Sequence, residues 1–218
     1  MVKKNQSASQ RDATLGRKTV SSNFRIPEGC DQGTACVIGP GLSKSNDAKE
    51  CVRQYLETLE CPIVLDADGI NIVAENLDWI RGKESRMVLT PHPGEAARLL
   101  KNIKHSVLNR EDTLMRLVEL TQCTVVLKGA GTLISAPNES VFMLSAGNPG
   151  MATGGTGDVL AGIIGGLLAQ GMLPLKAAQL GAWLHATAGD FAAWRKTQQA
   201  MTAMDVVYEM KNAWKELA

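Results

Sequence analysis

Short apolar runs recur along the chain and are separated by longer stretches with helical spacing. Four such runs, over residues 35–38, 62–66, 87–90 and 124–128, predict buried strands because apolar and polar residues do not alternate in them. Strands of this kind that alternate with helices are typical of a mainly parallel sheet covered by helices on both faces. The pattern therefore predicts an α/β fold, with ligands expected beyond the carboxyl ends of the strands.

The stretches between these runs predict helices. Ser45 or Asn46 caps the first one, whose apolar residues recur on one face from Ala48 to Leu59. The stretch 159–170 is apolar on every side, which predicts a helix at the centre of the domain, and its three glycines are expected to allow close approach of neighbouring backbone. Further helices are predicted over 70–75, after Gly94 and through Leu99 and Leu100, over 109–121, from Pro174 onward and over 204–217. The segments 133–135 and 141–144 predict a hairpin.

Residues 1–34 differ from the rest of the chain. They show neither helical nor strand periodicity and contain few large apolar side chains. We therefore predict an irregular tail over 1–34 and one domain over 35–218.

Composition and charge exclude several classes of function. The chain has 218 residues and a formal net charge of +1, so no global field favours binding to nucleic acid or to an anionic membrane. Aromatic residues make up only 4%, which argues against base-stacking surfaces, and the longest apolar run is too short to span a bilayer. The five cysteines form no Cys-x-x-Cys pair, which indicates neither a zinc site nor a redox motif and favours a cytoplasmic location.

The strongest candidate for chemistry is the run Gly154, Gly155, Thr156, Gly157 that leads into Asp158. Consecutive glycines allow backbone N–H groups to turn toward one point, and the helix that follows adds its positive end. The run therefore predicts an anion site, with the carboxylate placed to act as a catalytic base. Helix capping would explain this aspartate alone, but it would not explain the five glycines that precede it from residue 147 onward.

The glycine run also carries a resemblance to a known superfamily. It is not a Walker A sequence, since no Lys-Ser/Thr follows, and it lacks the preceding βαβ start of a dinucleotide fingerprint. A Gly-x-Gly-Asp loop that opens a buried helix resembles the ribokinase-like kinases of small molecules. The longer segment GNPGMATGGTGDVLAGIIGGLLAQG, residues 147–171, resembles the ADP- or ATP-dependent NAD(P)H-hydrate dehydratases of that superfamily. Four other segments resemble the same family in the same order: 38–42 (IGPGL), 65–71 (LDADGIN), 90–95 (TPHPGE) and 126–132 (VLKGAGT).

This resemblance implies a ribokinase-like domain over 35–218. Members of the family normally begin with a further strand and a Gly-Gly-rich loop, which residues 1–34 do not match. We therefore expect an N-terminally incomplete domain, whose sheet has an unpaired edge.

Residues on the substrate side follow from the motifs and the resemblance. Gly41 would let substrate lie close to the backbone. His92 lies between two prolines, so its backbone is stiff, and the resemblance makes it a contact to the hydrated nicotinamide together with Asp158. Glu95 could organise a Mg²⁺ shell through water or could be an ordinary first-turn glutamate. Asp66 and Asp68 could hold a metal or a ribose, although Asp68 could instead bond the backbone of the turn.

Residues on the nucleotide side follow in the same way. Lys128 ends a strand and opens Gly-Ala-Gly-Thr, so a cation and free N–H groups meet there, which suits phosphates better than a solvated lysine in a turn would. His105 and His185 have no motif around them and are expected to be structural. The predicted nucleotide contacts are Lys128, Gly129, Ala130, Gly131, Thr132, Gly154, Gly155, Thr156 and Gly157.

The reaction that the resemblance implies is a lyase reaction, the ADP- or ATP-dependent dehydration of the S-epimer of hydrated NADH or NADPH in the presence of Mg²⁺. Asp158 would remove the proton of the C6 hydroxyl, which attacks the terminal phosphoryl group, and phosphate would then leave with help from the ring nitrogen. Relatives assemble, so we also expect a homo-oligomer. The alternatives are a ribokinase-like kinase of a small molecule and a truncated, non-catalytic remnant that binds nucleotide.

Overall fold

One six-stranded sheet forms the centre of the fold. In the computed structural model, which describes residues 34–101 and 109–217, strands β1–β4 are parallel, and β5 and β6 are antiparallel to their neighbours. The mainly parallel sheet and the hairpin predicted from the sequence are both confirmed. In sheet order, the strands are β1 (Cys36–Ile38), β2 (Ile63–Leu65), β3 (Met87–Leu89), β4 (Thr124–Leu127), β5 (Thr132–Ser135) and β6 (Phe142–Leu144).

Seven α-helices in the described residues cover the two faces of the sheet. Each predicted helix has a counterpart among them, and short 3₁₀ turns occur at Leu77–Ile80, Glu84–Arg86 and Pro149–Met151. The predicted irregular tail lies outside the described residues except for Thr34, and so does His105. The helices are α1 (Asn46–Thr58), α2 (Ala67–Val73), α3 (Pro93–Leu99), α4 (Arg110–Thr121), α5 (Thr156–Ala169), α6 (Pro174–Lys196) and α7 (Ala203–Lys215).

Side chains that alternate along each strand divide the core into two layers. In β2, Ile63 and Leu65 pack into the layer formed with α1–α4, whereas Val64 packs into the layer formed with α5–α7. All three are fully buried, as expected for a strand with helices on both of its faces. This explains why the strands read as continuous apolar runs in the sequence.

Helix ends follow local sequence signals. The Ser45 hydroxyl accepts a hydrogen bond from the Ala48 amide at 3.2 Å, which identifies Ser45 as the cap of α1. Asn109 caps α4 in the same way by accepting from the Asp112 amide at 2.8 Å. The starts of these two helices are thereby marked by their own capping residues.

Helix α5 corrects one prediction. It is not buried on every side, because Gly162 and Gly166 lie exposed on the same face as Asp158. Of the three glycines within 159–170, only Gly165 is closely approached: a β-carbon there would come within 2.7 Å of the Val37 side chain, whereas Gly162 and Gly166 have nothing nearby. Glycines count as apolar in a periodicity reading but place no side chain against a neighbour, so the pattern overstated the burial of this helix.

The carboxyl ends of the parallel strands meet at one edge of the sheet. At the end of β1 the chain passes so close to the start of α2 that a β-carbon on Gly39 would lie 1.7 Å from the Asp66 carbonyl oxygen. The turn that follows β1 includes Gly41, where φ is 70°. No helix within the described ranges has the length and apolar character needed to cross a bilayer.

Candidate active site

A cavity of about 820 Å³ opens where the chain leaves β4 and where α5 begins. One wall is the loop Lys128–Thr132, called here the lysine loop, and another is the segment from Ser145 to Thr153. Apolar side chains complete the lining: Leu144 from β6, Leu160 from α5, and Ala182 and Ala186 from α6. A largely apolar cleft with a few polar groups is the usual form of a small-molecule site.

The Lys128 ammonium is the centre of a compensated charge cluster. Its Nζ lies 2.6 Å from Oδ1 of Asp66 and 3.8 Å from Oε2 of Glu95, and both carboxylates are buried. Asp66 also accepts a hydrogen bond from the Thr90 hydroxyl at 2.7 Å. The carboxylate of Asp66, a candidate metal or ribose ligand in the sequence, is therefore engaged with the lysine and the threonine in this structure.

His92 and Glu95 together begin α3. The His92 ring accepts a hydrogen bond from the Gly94 amide through Nδ1 at 2.9 Å, and its backbone amide donates to Oε2 of Glu95 at 2.8 Å. Nε2 lies 3.2 Å from Oε1 of the same glutamate. The glutamate thus caps the first turn of α3, and its role toward Mg²⁺ stays a prediction. The ring is half exposed and lines the cavity, so its orientation is fixed while one face stays open to a ligand.

The run Gly154–Gly157, called here the glycine loop, turns into α5 at Thr156. Gly155 is the N-cap residue with φ of 90°, a conformation that favours glycine. The Thr156 hydroxyl is 2.7 Å from the Met151 carbonyl and 2.8 Å from the Thr153 carbonyl, which ties the loop to the segment just before it. A β-carbon at Gly157 would lie 3.5 Å from Lys128 Nζ, so the two loops converge at this point.

Asp158 is the third residue of α5, so the interpretation of it as the helix cap is wrong. Its side chain is exposed, and it makes no hydrogen bond or ion pair within the part of the chain that the structure describes. It directly follows Gly157, which lines the cavity. A carboxylate in this position is available to a ligand beside the two loops.

The structure brings together most, but not all, of the predicted site. The whole lysine loop, His92, Thr156 and Gly157 line the cavity. Gly154 and Gly155 are exposed and do not belong to its lining. Gly41 is also exposed and lies three strands away from the lysine loop, at the end of β1.

Sequence reasoning missed the clamp that holds the segment Gly147–Met151. Asp190 of α6 accepts hydrogen bonds from the Gly147 amide and from the Asn148 side chain, both at 2.9 Å. Asn148 Oδ1 in turn accepts from the Gly150 amide at 3.0 Å. Only the last of these contacts has a local signal, an asparagine that opens a turn, because Asp190 follows 42 residues later in the chain.

His185 was expected to be structural, yet it lines the cavity from α6. Burial lowers its pKa to about 4, which a hydrogen bond with the Thr156 backbone opposes and the nearby Lys128 charge reinforces. Its Nε2 is buried without a hydrogen-bond partner among the described residues. The imidazole is therefore neutral at physiological pH, and Lys128 is the charged group on this side of the cavity.

Comparisons with known proteins identify the family of this chain. The chain matches the model of the family described as NAD(P)H-hydrate dehydratase over residues 5–212. It is 42% identical over 185 residues to the bifunctional NAD(P)H-hydrate repair enzyme Nnr of Moorella thermoacetica, covering 83% of this chain and 35% of that protein. It is 44% identical over 161 residues to the ADP-dependent (S)-NAD(P)H-hydrate dehydratase of Neisseria meningitidis, covering 72% of this chain and 54% of that protein.

The fold is similar to that of solved structures. The ADP/ATP-dependent NAD(P)H-hydrate dehydratase of Bacillus subtilis, co-crystallised with ATP/Mg²⁺ and soaked with CoA, has a TM-score of 0.71 and 27% identity, covering 84% of this chain and 66% of that chain. Ribokinase of Thermotoga maritima shares the fold alone. It is 20% identical to this chain, with a TM-score of 0.53, and the match covers 82% of this chain and 56% of that chain. The fold is therefore ribokinase-like, as predicted.

The chain spans about a third of the length of the bifunctional relative from Moorella and about half that of the relative from Neisseria. The family model nevertheless extends over nearly the whole chain, including the lysine loop, the glycine loop and Asp158. This chain belongs to the NAD(P)H-hydrate dehydratase family.

Proposed function

We propose that this chain catalyses the ADP- or ATP-dependent dehydration of the S-epimer of hydrated NADH and NADPH, which converts these damaged nucleotides back to NADH and NADPH. The observation that carries the proposal is the convergence of the lysine loop and the glycine loop beside an exposed carboxylate, Asp158, that has no partner within the described residues. The names of the relatives supply the substrate class.

The cavity supports the nucleotide part of the proposal. Lys128 supplies a charge for phosphates, and the lysine loop adds backbone N–H groups around it. Apolar side chains such as Leu144, Leu160 and Ala186 offer a surface for a planar base. We infer that the nucleotide binds with its phosphates between the two loops.

The residues present fit a magnesium ion that arrives with the nucleotide. Magnesium keeps several waters and binds through phosphates and one or two carboxylates, so it does not need a cage of protein ligands. No group of three His, Cys, Asp or Glu side chains suited to a metal occurs in 34–101 or 109–217. Glu95, buried at the edge of the charge cluster, would hold the ion through water. When bound, magnesium supplies charge neutralisation at the transferred phosphoryl group.

Asp158 would act as the general base. Its carboxylate takes the proton of the C6 hydroxyl, the C6 oxygen forms a bond to the terminal phosphorus, and the bond from that phosphorus to the rest of the nucleotide breaks. The ring nitrogen's lone pair then expels phosphate from C6, and loss of a proton from C5 restores the double bond. Phosphate is a much better leaving group than hydroxide, which is why a kinase-like site can serve a dehydratase.

The remaining sequence predictions concern the whole protein. We infer that it works on a small-molecule substrate and not on nucleic acid, that it forms a homo-oligomer, and that it acts in the cytoplasm. Exposed aromatic side chains on the last two helices, Trp194, Tyr208 and Trp214, support self-association because such residues are enriched at interfaces. The boundary between the tail and the domain at residue 34 also stays a prediction.

A coupled assay tests the proposal. The purified chain is incubated with hydrated NADH, Mg²⁺ and either ADP or ATP, and the absorbance of reduced nicotinamide is followed. We expect turnover by the wild type and a loss of about 10²–10⁴-fold in kcat for Asp158→Asn, since general base catalysis contributes that much. Binding of ADP by the variant should stay within about twofold, because this carboxylate does not line the nucleotide cavity.

Each other outcome contradicts a definite part of the proposal. A phosphorylated product without dehydration would identify a small-molecule kinase instead. Nucleotide binding without any turnover would favour a non-catalytic remnant. Equal rates for the wild type and Asp158→Asn would show that another group is the base.

A further inference from the structure

Arg110 makes an unusual set of contacts with the back of the lysine loop. It is the first residue of α4, and its guanidinium reaches the carbonyl oxygens of Leu127, Lys128 and Ala130. The distances from Nη2 to the first two carbonyls are 3.2 and 3.5 Å. All hydrogen bonds that the guanidinium makes within the described ranges go to these carbonyls, and its buried Nε makes none. A surface arginine would more often pair with a carboxylate.

The directions of the loop N–H groups follow from these carbonyl contacts. In a trans peptide the carbonyl and the following N–H point to opposite sides, and the described residues contain no cis bond. The N–H groups of Gly129 and Gly131 therefore point away from the guanidinium. The same rule holds one residue earlier, where the Lys128 amide turns from the arginine and donates to the Pro91 carbonyl at 2.9 Å.

The guanidinium and the cavity lie on different sides of the lysine loop. Every residue of the lysine loop lines the cavity, whereas Arg110 does not, so the guanidinium is behind the loop and the ligand space in front. Gly129 has φ of 140°, and a β-carbon there would lie 3.0 Å from Nη1 of the arginine. The backbone conformation thus favours glycine at this position, and the guanidinium packs closely against it.

We propose that Arg110 is a positioning residue that holds the lysine loop with the Gly129 and Gly131 amides directed at the phosphates of the bound nucleotide. A planar guanidinium can reach several carbonyls at once, which a lysine ammonium cannot do in the same geometry. The inference rests on the proposed nucleotide site. It adds a residue that acts through the loop and touches neither nucleotide nor substrate.

The test compares Arg110→Met with a matched variant on the same helix. Arg116→Met removes an exposed arginine that pairs only with Glu119, at 3.2 Å, among the described residues, so it controls for the loss of charge and of an arginine from α4. For Arg110→Met we expect the Kd and KM for ADP to rise by about tenfold or more and kcat to change by less than about twofold, since charge-assisted hydrogen bonds hold the loop. Arg116→Met should behave as the wild type in all three.

Chemical complementation separates positioning from general stabilisation. In Arg110→Ala, added guanidinium ion at low millimolar concentration should lower the Kd for ADP toward the wild-type value, whereas ammonium ion at the same concentration should not. Arg110→Lys should fall between the wild type and Arg110→Met. A merely structural role would instead lower the melting temperature and leave the affinity of the folded fraction unchanged.

The outcomes distinguish this inference from the proposed function. If the wild type binds ADP and Arg110→Met binds it equally well, the positioning role is wrong and the proposed function stands. If the wild type itself does not bind ADP, the proposed nucleotide site fails and the role of Arg110 fails with it. If kcat falls while KM is unchanged, the arginine acts on the chemical step and not on nucleotide binding.

Discussion

The lysine loop and the glycine loop face the same cavity but are stabilised in different ways. The lysine loop is held by another helix, because Arg110 of α4 contacts the carbonyl oxygens of Leu127, Lys128 and Ala130. The glycine loop is held by residues next to it in the sequence, because the Thr156 hydroxyl bonds carbonyls only three and five residues earlier and α5 follows directly. One loop depends on tertiary structure and the other on local sequence.

The two loops also differ in charge. The lysine loop carries Lys128, whose ammonium is balanced by the buried carboxylates of Asp66 and Glu95. The glycine loop has no charged side chain until Asp158, which is exposed. We therefore expect substitutions at the lysine loop to lower both the stability and the nucleotide affinity. Substitutions in and after the glycine loop should change one of these two properties without the other.

Substitution of Lys128 should have the largest effect on stability. Lys128→Met leaves Asp66, which is 1% exposed, without its counter-ion. Breaking a buried ion pair by removing one partner lowers the free energy of unfolding by about 3–5 kcal/mol. Urea unfolding monitored by tryptophan fluorescence measures this loss, and isothermal titration with ADP should show weaker binding in the fraction that remains folded.

A double variant shows whether charge compensation is the cause. In Lys128→Met/Asp66→Asn the uncompensated charge is gone, and the asparagine can still accept the hydrogen bond from Thr90. Most of the stability should therefore return, but the ADP affinity should not. A double variant as unstable as the single one would mean that the lysine stabilises the fold by packing and not by neutralising Asp66.

The contrast between the loops also explains what the sequence could predict. The glycine loop and Asp158 are contiguous, so a cluster of glycines before a helix was sufficient to predict them. The sheet was predictable because each strand is a local apolar run. The ion pair between Asp66 and Lys128 joins residues 62 positions apart, and no pattern along the chain indicates which carboxylate meets the lysine. The clamp by Asp190 was missed for the same reason.

His185, between the two loops, should have the next largest effect. Burial lowers its pKa to about 4, while an unfolded histidine titrates near 6.5. The unfolded state therefore binds more protons between these values, so the free energy of unfolding should fall as the pH decreases from about 6.5 to 4, by about 3 kcal/mol from this residue. Above pH 6.5 the contribution is fully present and constant.

The measurement compares the wild type with His185→Gln across that pH range. Glutamine carries no proton-linked charge, so the difference in unfolding free energy between the two proteins should shrink as the pH falls. Carboxylates common to both proteins cancel in this difference. A difference that is independent of pH from 7 to 4 would mean that the imidazole becomes solvated or protonated in the folded state without penalty.

Thr156 should have the smallest effect, and it tests the internal support of the glycine loop directly. Thr156→Val keeps the shape of a buried side chain but removes the hydroxyl that bonds the Met151 and Thr153 carbonyls, which should lower the free energy of unfolding by about 1–2 kcal/mol. Thr156→Ser retains the hydroxyl and should lose less than half as much.

Thr132→Val in the lysine loop provides the comparison. The Thr132 hydroxyl bonds the Gly129 carbonyl at 3.2 Å in an exposed position and should contribute only a few tenths of a kcal/mol. Equal losses at the two threonines, measured by urea unfolding, would contradict the view that the threonine hydroxyl contributes more to the glycine loop than to the lysine loop.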